Sequence, residues 1–366
     1  MINVTKPSLP DFEKVKPYLE QIWDTKVLSN NGPLHTELEA RLADFLGLEH
    51  VSLFCNATIA LITAQQALDV TGEVITTPYS FVATAHAINW MRNTPVFVDV
   101  EPDSLCLDPA LVEAAVTPQT KAIMPLHCYG NTCATEEIER IADKHDLKII
   151  YDACHSFGVE DEGGSVLRHG DVSVVSFHAT KVFNTFEGGL LVSNSAELKR
   201  RVDHLKNFGF ESEVSVVGPG INGKMSEFNA AVGLAQMAEF EGVIARRASL
   251  DNLYRELLAP IKGISCQTPI RQTKRNYAYF PIFVDTAYPL GRDALYQHLL
   301  ENGVHGRRYF YPLISQFPTY ANLSSADAAS LPFATWASSR VICLPLYADL
   351  ADDDVHHICR VIREVV

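Results

Sequence analysis

Lys181 follows the apolar run DVSVVSF (171–177) and precedes the pair Gly188-Gly189. Most lysines prefer open solvent, so this setting separates it from the surface lysines of the chain. Burial lowers the pKa of an amine, and a neutral amine attacks an aldehyde. The glycines permit close backbone approach. Asp152 ends a second apolar run, LKIIYD (147–152). A buried carboxylate is costly without a cation, and a protonated pyridine-type nitrogen would be such a partner. Capping of the next turn accounts for Asp152 equally well. His155, in the same segment, can hydrogen-bond a ring hydroxyl, although a lone histidine is more often structural.

Two more segments offer groups for an anion. Cys55-Asn56-Ala57-Thr58 stands where the run VSLF (51–54) meets a helical stretch. A helix N-terminus presents free N–H groups and a positive dipole end, suited to a phosphate. Thr58 adds a hydroxyl, and Ser176, just before Lys181, can reach the same phosphate. Simple capping by Asn56 is the plainer account of this turn. Gly220-Ile221-Asn222-Gly223-Lys224 is a glycine loop in which Asn222 and Lys224 can meet an anion. Capping and solvation would explain that loop as well.

The elements that must hold these residues are legible as short apolar, β-branched runs. They are VSLF (51–54), EVIT (73–76), PVFVDV (95–100), KAIMPL (121–126), LKIIYD (147–152), DVSVVSF (171–177) and GLLVS (189–193). Their near-regular spacing leaves room for a crossover helix after most strands. Unbroken apolar character suits strands covered on both faces, as in a parallel sheet. The last interval is shorter, which predicts a hairpin-like or irregular connection. Helices are expected over 57–68 and 135–146, and one long helical stretch over 225–258. Beyond Pro260 come a strand at 278–284, a helix at 292–303 and a final helix over 352–366. The expected class is α/β, with a large mostly parallel sheet domain over 1–244 and a smaller α+β domain over 245–366. The first twenty residues are expected to pack against the smaller one. Ligands in open α/β sheets bind at the carboxyl ends of the strands, where Asp152 and Lys181 fall.

Composition narrows the class further. A net charge of -14 argues against a nucleic-acid surface, which needs clustered Lys and Arg. No apolar run approaches the length of a membrane span. The N-terminal MINVTKPSLPDFEKVKPYLE carries charges and prolines where a signal peptide needs an apolar core, so a cytoplasmic enzyme is expected. Eight scattered cysteines form no CxxC pair, so they read as reduced core thiols, and no metal site is expected.

Read together and in order, the segments resemble the DegT/DnrJ/EryC1/StrS family, nucleotide-sugar aminotransferases of the aspartate-aminotransferase-like fold type I. The resemblance runs nearly end to end, through NNGPLHTELEARLADFLG, EVITTPYSFVATAHAI, PVFVDVEPDSLCLD, KAIMPLHCYG, YDACHSFG, SFHATKVFNTFEGG, GINGKMSEFNAAVGLAQM, RRYFYPL and LPLYADL. It implies pyridoxal 5'-phosphate as cofactor, with Lys181 as the Schiff-base lysine and proton shuttle and Asp152 as partner of the ring nitrogen. His155 would stand beside the ring hydroxyl, and Phe81 would stack on the ring unless it is a core residue. Ala57, Thr58 and Ser176 would hold the phosphate. Asn222 would reach it from a neighbouring subunit, implying a homodimer with shared active sites. Asn31, Lys224, Tyr309 and Tyr311 would face the substrate.

The implied reaction moves an amino group from L-glutamate to a nucleotide-linked keto sugar. Family members with the SFHATK variant act on dTDP-4-keto-6-deoxyglucose, for surface polysaccharide. Amination at C3 of a 3-keto sugar is the alternative, and a non-catalytic protein that kept the fold is another. Family dehydratases carry histidine in place of the lysine, which argues against that chemistry here. Departures from the family pattern are Phe186, which would narrow the pocket mouth, Lys224 in place of an arginine, and the absence of a histidine in Tyr311-Pro312-Leu313-Ile314.

Overall fold

The computed structural model describes residues 1–365. Seven strands form the main sheet: β1 (Val51–Phe54), β2 (Glu73–Thr76), β3 (Thr94–Phe97), β4 (Thr120–Met124), β5 (Lys148–Asp152), β6 (Val172–Ser176) and β7 (Gly189–Ser193). Their spatial order is β1-β7-β6-β5-β4-β2-β3. The pairs β2/β3, β2/β4, β4/β5 and β5/β6 are parallel, whereas β7 runs antiparallel to both its neighbours. Of the two connections expected before β7, hairpin-like or irregular, the structure has an antiparallel hairpin with a long loop.

Both faces of this sheet are covered, which is why its strands read as unbroken apolar runs. Side chains alternate across the pleat. Val174 and Leu191 join one core with Ala60, Leu61 and Ala64 of α3 (Ala57–Ala67) and Ile88 of α4 (Ala83–Trp90). Val175 and Leu190, one residue out of step, join the opposite core. There they meet Leu34, Leu38 and Leu42 of α2 (Pro33–Leu46) and Leu234 of α6 (Glu227–Met237). Gly233 of α6 lets α2 approach closely, since a Cβ there would lie 2.6 Å from Leu38 Cδ2. Helix α5 (Thr135–His145) covers the far end through Ile138 and Ile141.

A second, antiparallel sheet is built from β8 (Ile264–Cys266), β9 (Phe280–Val284) and β10 (Val341–Leu344). The expected helix over 225–258 breaks at Ala238–Glu239 into α6 and α7 (Phe240–Leu258). Glu239 turns aside to bind the Lys14 ammonium at 2.8 Å. Phe240, Val243 and Ile244 of α7 sit in the main-sheet core, while Leu250, Tyr254 and Leu258 sit under the second sheet. Helices α8 (Arg292–Glu301) and α9 (Asp352–Arg363) complete that second core. The last residue of the expected final helix, Val366, lies outside the described residues.

Only the tip of the N-terminal segment reaches the second sheet's side, where Ile2–Asn3 pairs with Val304–His305. Helix α1 (Phe12–Thr25) lies on α6 instead, with Val15 against Val232 and Ala235. The apolar stripe of α1 finds its match on the large body, not the small one. No helix among the described residues is long and apolar enough to cross a membrane.

Candidate active site

A cleft of ≈ 370 Å³ opens at the carboxyl ends of β1, β5 and β6. One wall is the mouth of α3. Asn56 caps this helix by accepting the Ile59 N–H at 2.9 Å. The N–H groups of Ala57 and Thr58, which no helical carbonyl can reach, are left at the cleft. Gly189 makes this possible, because a Cβ there would lie 2.8 Å from the Ala57 nitrogen. Capping by Asn56 and an open anion seat are thus both present. Ser176, at the end of β6, lines the same cleft.

Asp152 ends β5 and is buried. Its Oδ2 accepts the Thr84 hydroxyl at 2.7 Å and its Oδ1 accepts the Cys154 N–H at 3.2 Å. The second bond is the turn cap allowed by the sequence. Both partners are neutral, and among the described residues no Lys or Arg forms an ion pair with this carboxylate. An uncompensated buried anion at the base of a cleft is a seat for a cation.

Lys181 Nζ donates to the Tyr279 hydroxyl at 3.2 Å. Its pKa departs from expectation in sign. Burial pushes it down, but the Tyr279 hydroxyl, the Cys154 thiol and the Asp152 carboxylate outweigh that, and the net shift is upward. Loss of water is offset by acidic groups that the fold brings in from two other segments. At neutral pH the free side chain is an ammonium.

His155 is buried, and its Nδ1 accepts the Tyr129 N–H at 3.2 Å. That bond fixes the ring proton on Nε2. Burial and the Lys181 charge drive its pKa well below the ordinary histidine range, so it is a neutral donor. Tyr129 reaches this geometry with a left-handed φ of 56°. Its hydroxyl donates to the Tyr309 carbonyl at 2.8 Å, fixing Tyr309 beside the cleft. Phe81 is 59% exposed on the cleft wall, which excludes a core role.

The fold therefore brings Ala57, Thr58, Phe81, Asp152, His155, Ser176, Lys181 and Tyr309 into one cleft. It leaves four expected residues outside the cleft of the same chain. Asn222 is exposed in its loop, bridged to Asn207 through the backbone. Lys224 is buried, bonded to Asn207 Oδ1 at 2.7 Å and lying over the Phe208 ring. Asn31 is exposed before α2, and Tyr311 stacks under Arg292 and Arg308. Phe186 does not narrow this mouth: its ring packs on Phe228 with centroids 5.8 Å apart.

Three cleft residues escaped the sequence reading. Thr84 and Tyr279 act through partners far along the chain, so spacing carries no sign of them. Arg307 lines the cleft and forms no ion pair among the described residues, while its neighbour Arg308 binds Asp293 at 2.7 Å. The doubled arginine of RRYFYPL was the available signal.

Residues 11–363 match the model of the DegT/DnrJ/EryC1/StrS aminotransferase family. A dTDP-4-amino-4,6-dideoxy-D-glucose transaminase of Shigella dysenteriae is 52% identical over 364 residues, covering 100% of this chain and 99% of that protein. One of the same name from Escherichia coli is 51% identical, covering 99% and 98%. Among solved structures, DesI in the presence of its TDP-sugar product superposes with a TM-score of 0.95 at 37% identity, covering 99% of this chain and 92% of that one.

Proposed function

The chain belongs to the DegT/DnrJ/EryC1/StrS aminotransferase family, and from this premise we propose its reaction: transfer of an amino group from L-glutamate to C4 of dTDP-4-keto-6-deoxy-D-glucose, for surface polysaccharide. The near full-length identity to transaminases named for the 4-amino product supports the sugar. The observation that carries the chemistry is the meeting of Lys181, Asp152 and the α3 mouth in one cleft.

The donor set fits pyridoxal 5'-phosphate. The Ala57 and Thr58 N–H groups, with the Thr58 and Ser176 hydroxyls, would hold the phosphate, and the Asp152 carboxylate would pair with the ring nitrogen. The His155 Nε2–H would meet the ring hydroxyl and Phe81 would cover a ring face. When bound, this cofactor supplies an electron-withdrawing ring and an aldehyde carbon that carries the exchanged amino group.

The residues of the chain do the rest. Lys181 Nζ would anchor the cofactor and would take up and return the substrate proton. Tyr279 holds that nitrogen and stabilises its protonated form. The Thr84 hydroxyl and the Cys154 N–H hold the Asp152 carboxylate in place. Tyr79, Tyr129 and Phe310 back the cleft with buried rings and keep water from it. Arg307, which forms no ion pair among the described residues, offers a guanidinium for an anionic substrate, and Tyr309 lies beside it.

Asn222, Asn31 and Tyr311 are exposed and would suit a site completed by a second copy of the chain, whereas Lys224 is held within its own chain by Asn207; on this reading the working unit is a homodimer, placed in the cytoplasm. Residues 1–244 serve as the cofactor-binding body and 245–366 as the smaller domain. The test is to incubate purified protein with dTDP-4-keto-6-deoxy-D-glucose and L-glutamate and read the product by NMR. An amine on C4 is expected. No turnover of this sugar, with amination of a 3-keto sugar instead, would refute the assignment.

A further inference from the structure

We infer that Thr84 is a positioning residue for Asp152, at the end of a directed hydrogen-bond chain that starts at Ser80. The inference rests on the reading of Asp152 as partner of the cofactor's ring nitrogen and deepens it.

An ionised carboxylate can only accept hydrogen bonds. Thr84 Oγ1 lies 2.7 Å from Asp152 Oδ2, so the Thr84 proton is committed to that oxygen. Ser80 Oγ lies 2.7 Å from Thr84 Oγ1. With its own proton spent on Asp152, Thr84 must accept from Ser80. The direction is therefore fixed: Ser80 O–H to Thr84, then Thr84 O–H to Asp152. All three residues are buried, with Thr84 1% and Asp152 4% exposed, so water does not compete for these bonds.

The second donor on Asp152, the Cys154 N–H, comes from the turn after β5. Thr84 comes from the first turn of α4, across the sheet. Two donors from separate elements, one on each oxygen, set the plane of the carboxylate. Losing the Thr84 proton would leave a more basic carboxylate held by one bond. It would draw the ring proton toward itself, and the ring would withdraw electrons less strongly. The same turn carries Phe81 on the cleft wall, so the Ser80–Thr84 stretch serves two features of the site at once.

The test compares wild type with Thr84→Val, which keeps the shape and removes the donor, with Thr84→Ser, which keeps the donor, and with Ser80→Ala. Each protein is loaded with pyridoxal 5'-phosphate, its visible absorbance is titrated against pH, and kcat and KM are measured. Thr84→Val is expected to move the absorbance midpoint upward by about one pH unit and to lower kcat about tenfold, with KM for both substrates nearly unchanged. Thr84→Ser is expected to restore both, and Ser80→Ala to shift both in the Thr84→Val direction by less. A wild-type midpoint and kcat in Thr84→Val would overturn the inference. So would Thr84→Ser behaving like Thr84→Val, because packing would then be the cause. If Thr84→Val does not fold, an unshifted midpoint in Ser80→Ala overturns it. Wild-type protein that takes up no cofactor sinks the underlying reading itself, a result distinct from these.

Discussion

The carboxylate of Glu227, which opens α6, accepts the backbone N–H of Leu34 in the first turn of α2, 2.9 Å away. Its other oxygen takes the His35 N–H at 2.8 Å. Gly32 stands at the N-cap of α2 and has no side chain to do this, so the cap arrives from the far end of the chain. Glu227 is 1% exposed, and a Cβ on Gly32 would lie 2.6 Å from its carboxyl carbon. Glu227→Ala is expected to cost roughly 2–4 kcal/mol, as two charge-assisted bonds are lost in a buried setting. Glu227→Gln, which retains one acceptor, is expected to cost less. Urea unfolding of the three proteins checks the order, and equal midpoints would refute it.

Tyr279 is the group that most favours the Lys181 ammonium. Only the neutral amine condenses with an aldehyde, so Tyr279→Phe is expected to lower the pH midpoint for cofactor uptake by the apoprotein. Borohydride trapping at a series of pH values reads that midpoint. An upward or absent shift contradicts the assignment, and Lys181→Ala is the blank that should trap nothing.

Three buried histidines set the acid limb of stability. Burial is the main cause for each: the pKa falls to about 4 at His35, to about 3 at His127, and well below the histidine range at His155. In the unfolded chain these rings titrate near 6.5. Their folded values are depressed, so the stability they contribute is complete above that pH and lost as the pH falls toward the folded values. Each adds about 1.4 kcal/mol per pH unit to the slope once the unfolded ring is protonated. Urea midpoints from neutral pH down to about 4.5 should fall steeply, and His35→Gln should flatten the curve by one proton's share. A flat profile in wild type would show that these rings are not held neutral.

Sharing of sites between subunits can be tested by complementation. A Lys181→Ala chain and an Asn222→Ala chain are each expected to be nearly inactive alone. Mixed dimers would place both changes in one site and leave the other intact, restoring about a quarter of wild-type activity after random reassortment. No recovery on mixing would mean that Asn222 serves its own chain.

The sequence was most informative where local pattern decides structure. Strands β1 and β7 run where VSLF and GLLVS stand, and the short gap before β7 set it apart from the crossovers without choosing between a hairpin and an irregular link. Asp152 and Lys181 were visible because a charge beside an apolar run is anomalous in any fold. Thr84 and Tyr279 were not, since each matters only through a partner that folding brings near. The break at Ala238–Glu239 has the same origin: no proline or glycine marks it, and Glu239 turns there to meet Lys14. The sign of the Lys181 shift was misjudged because burial was weighed without neighbours that the chain order conceals.

Ser176 and Gly189 face one another across the β6–β7 hairpin, and Gly189 faces Phe54 of β1 on its other side. The loop bearing Lys181 is thus tied off at its base by the β1-β7-β6 side of the sheet and rooted next to the anion seat of α3. Residues just after the lysine belong to that root as well: Val182 and Phe183 pack in the main-sheet core, and the Thr185 carbonyl accepts the Asn229 side-chain N–H at 2.7 Å. The lysine's address is thus written twice, in strand register before it and in core packing after it.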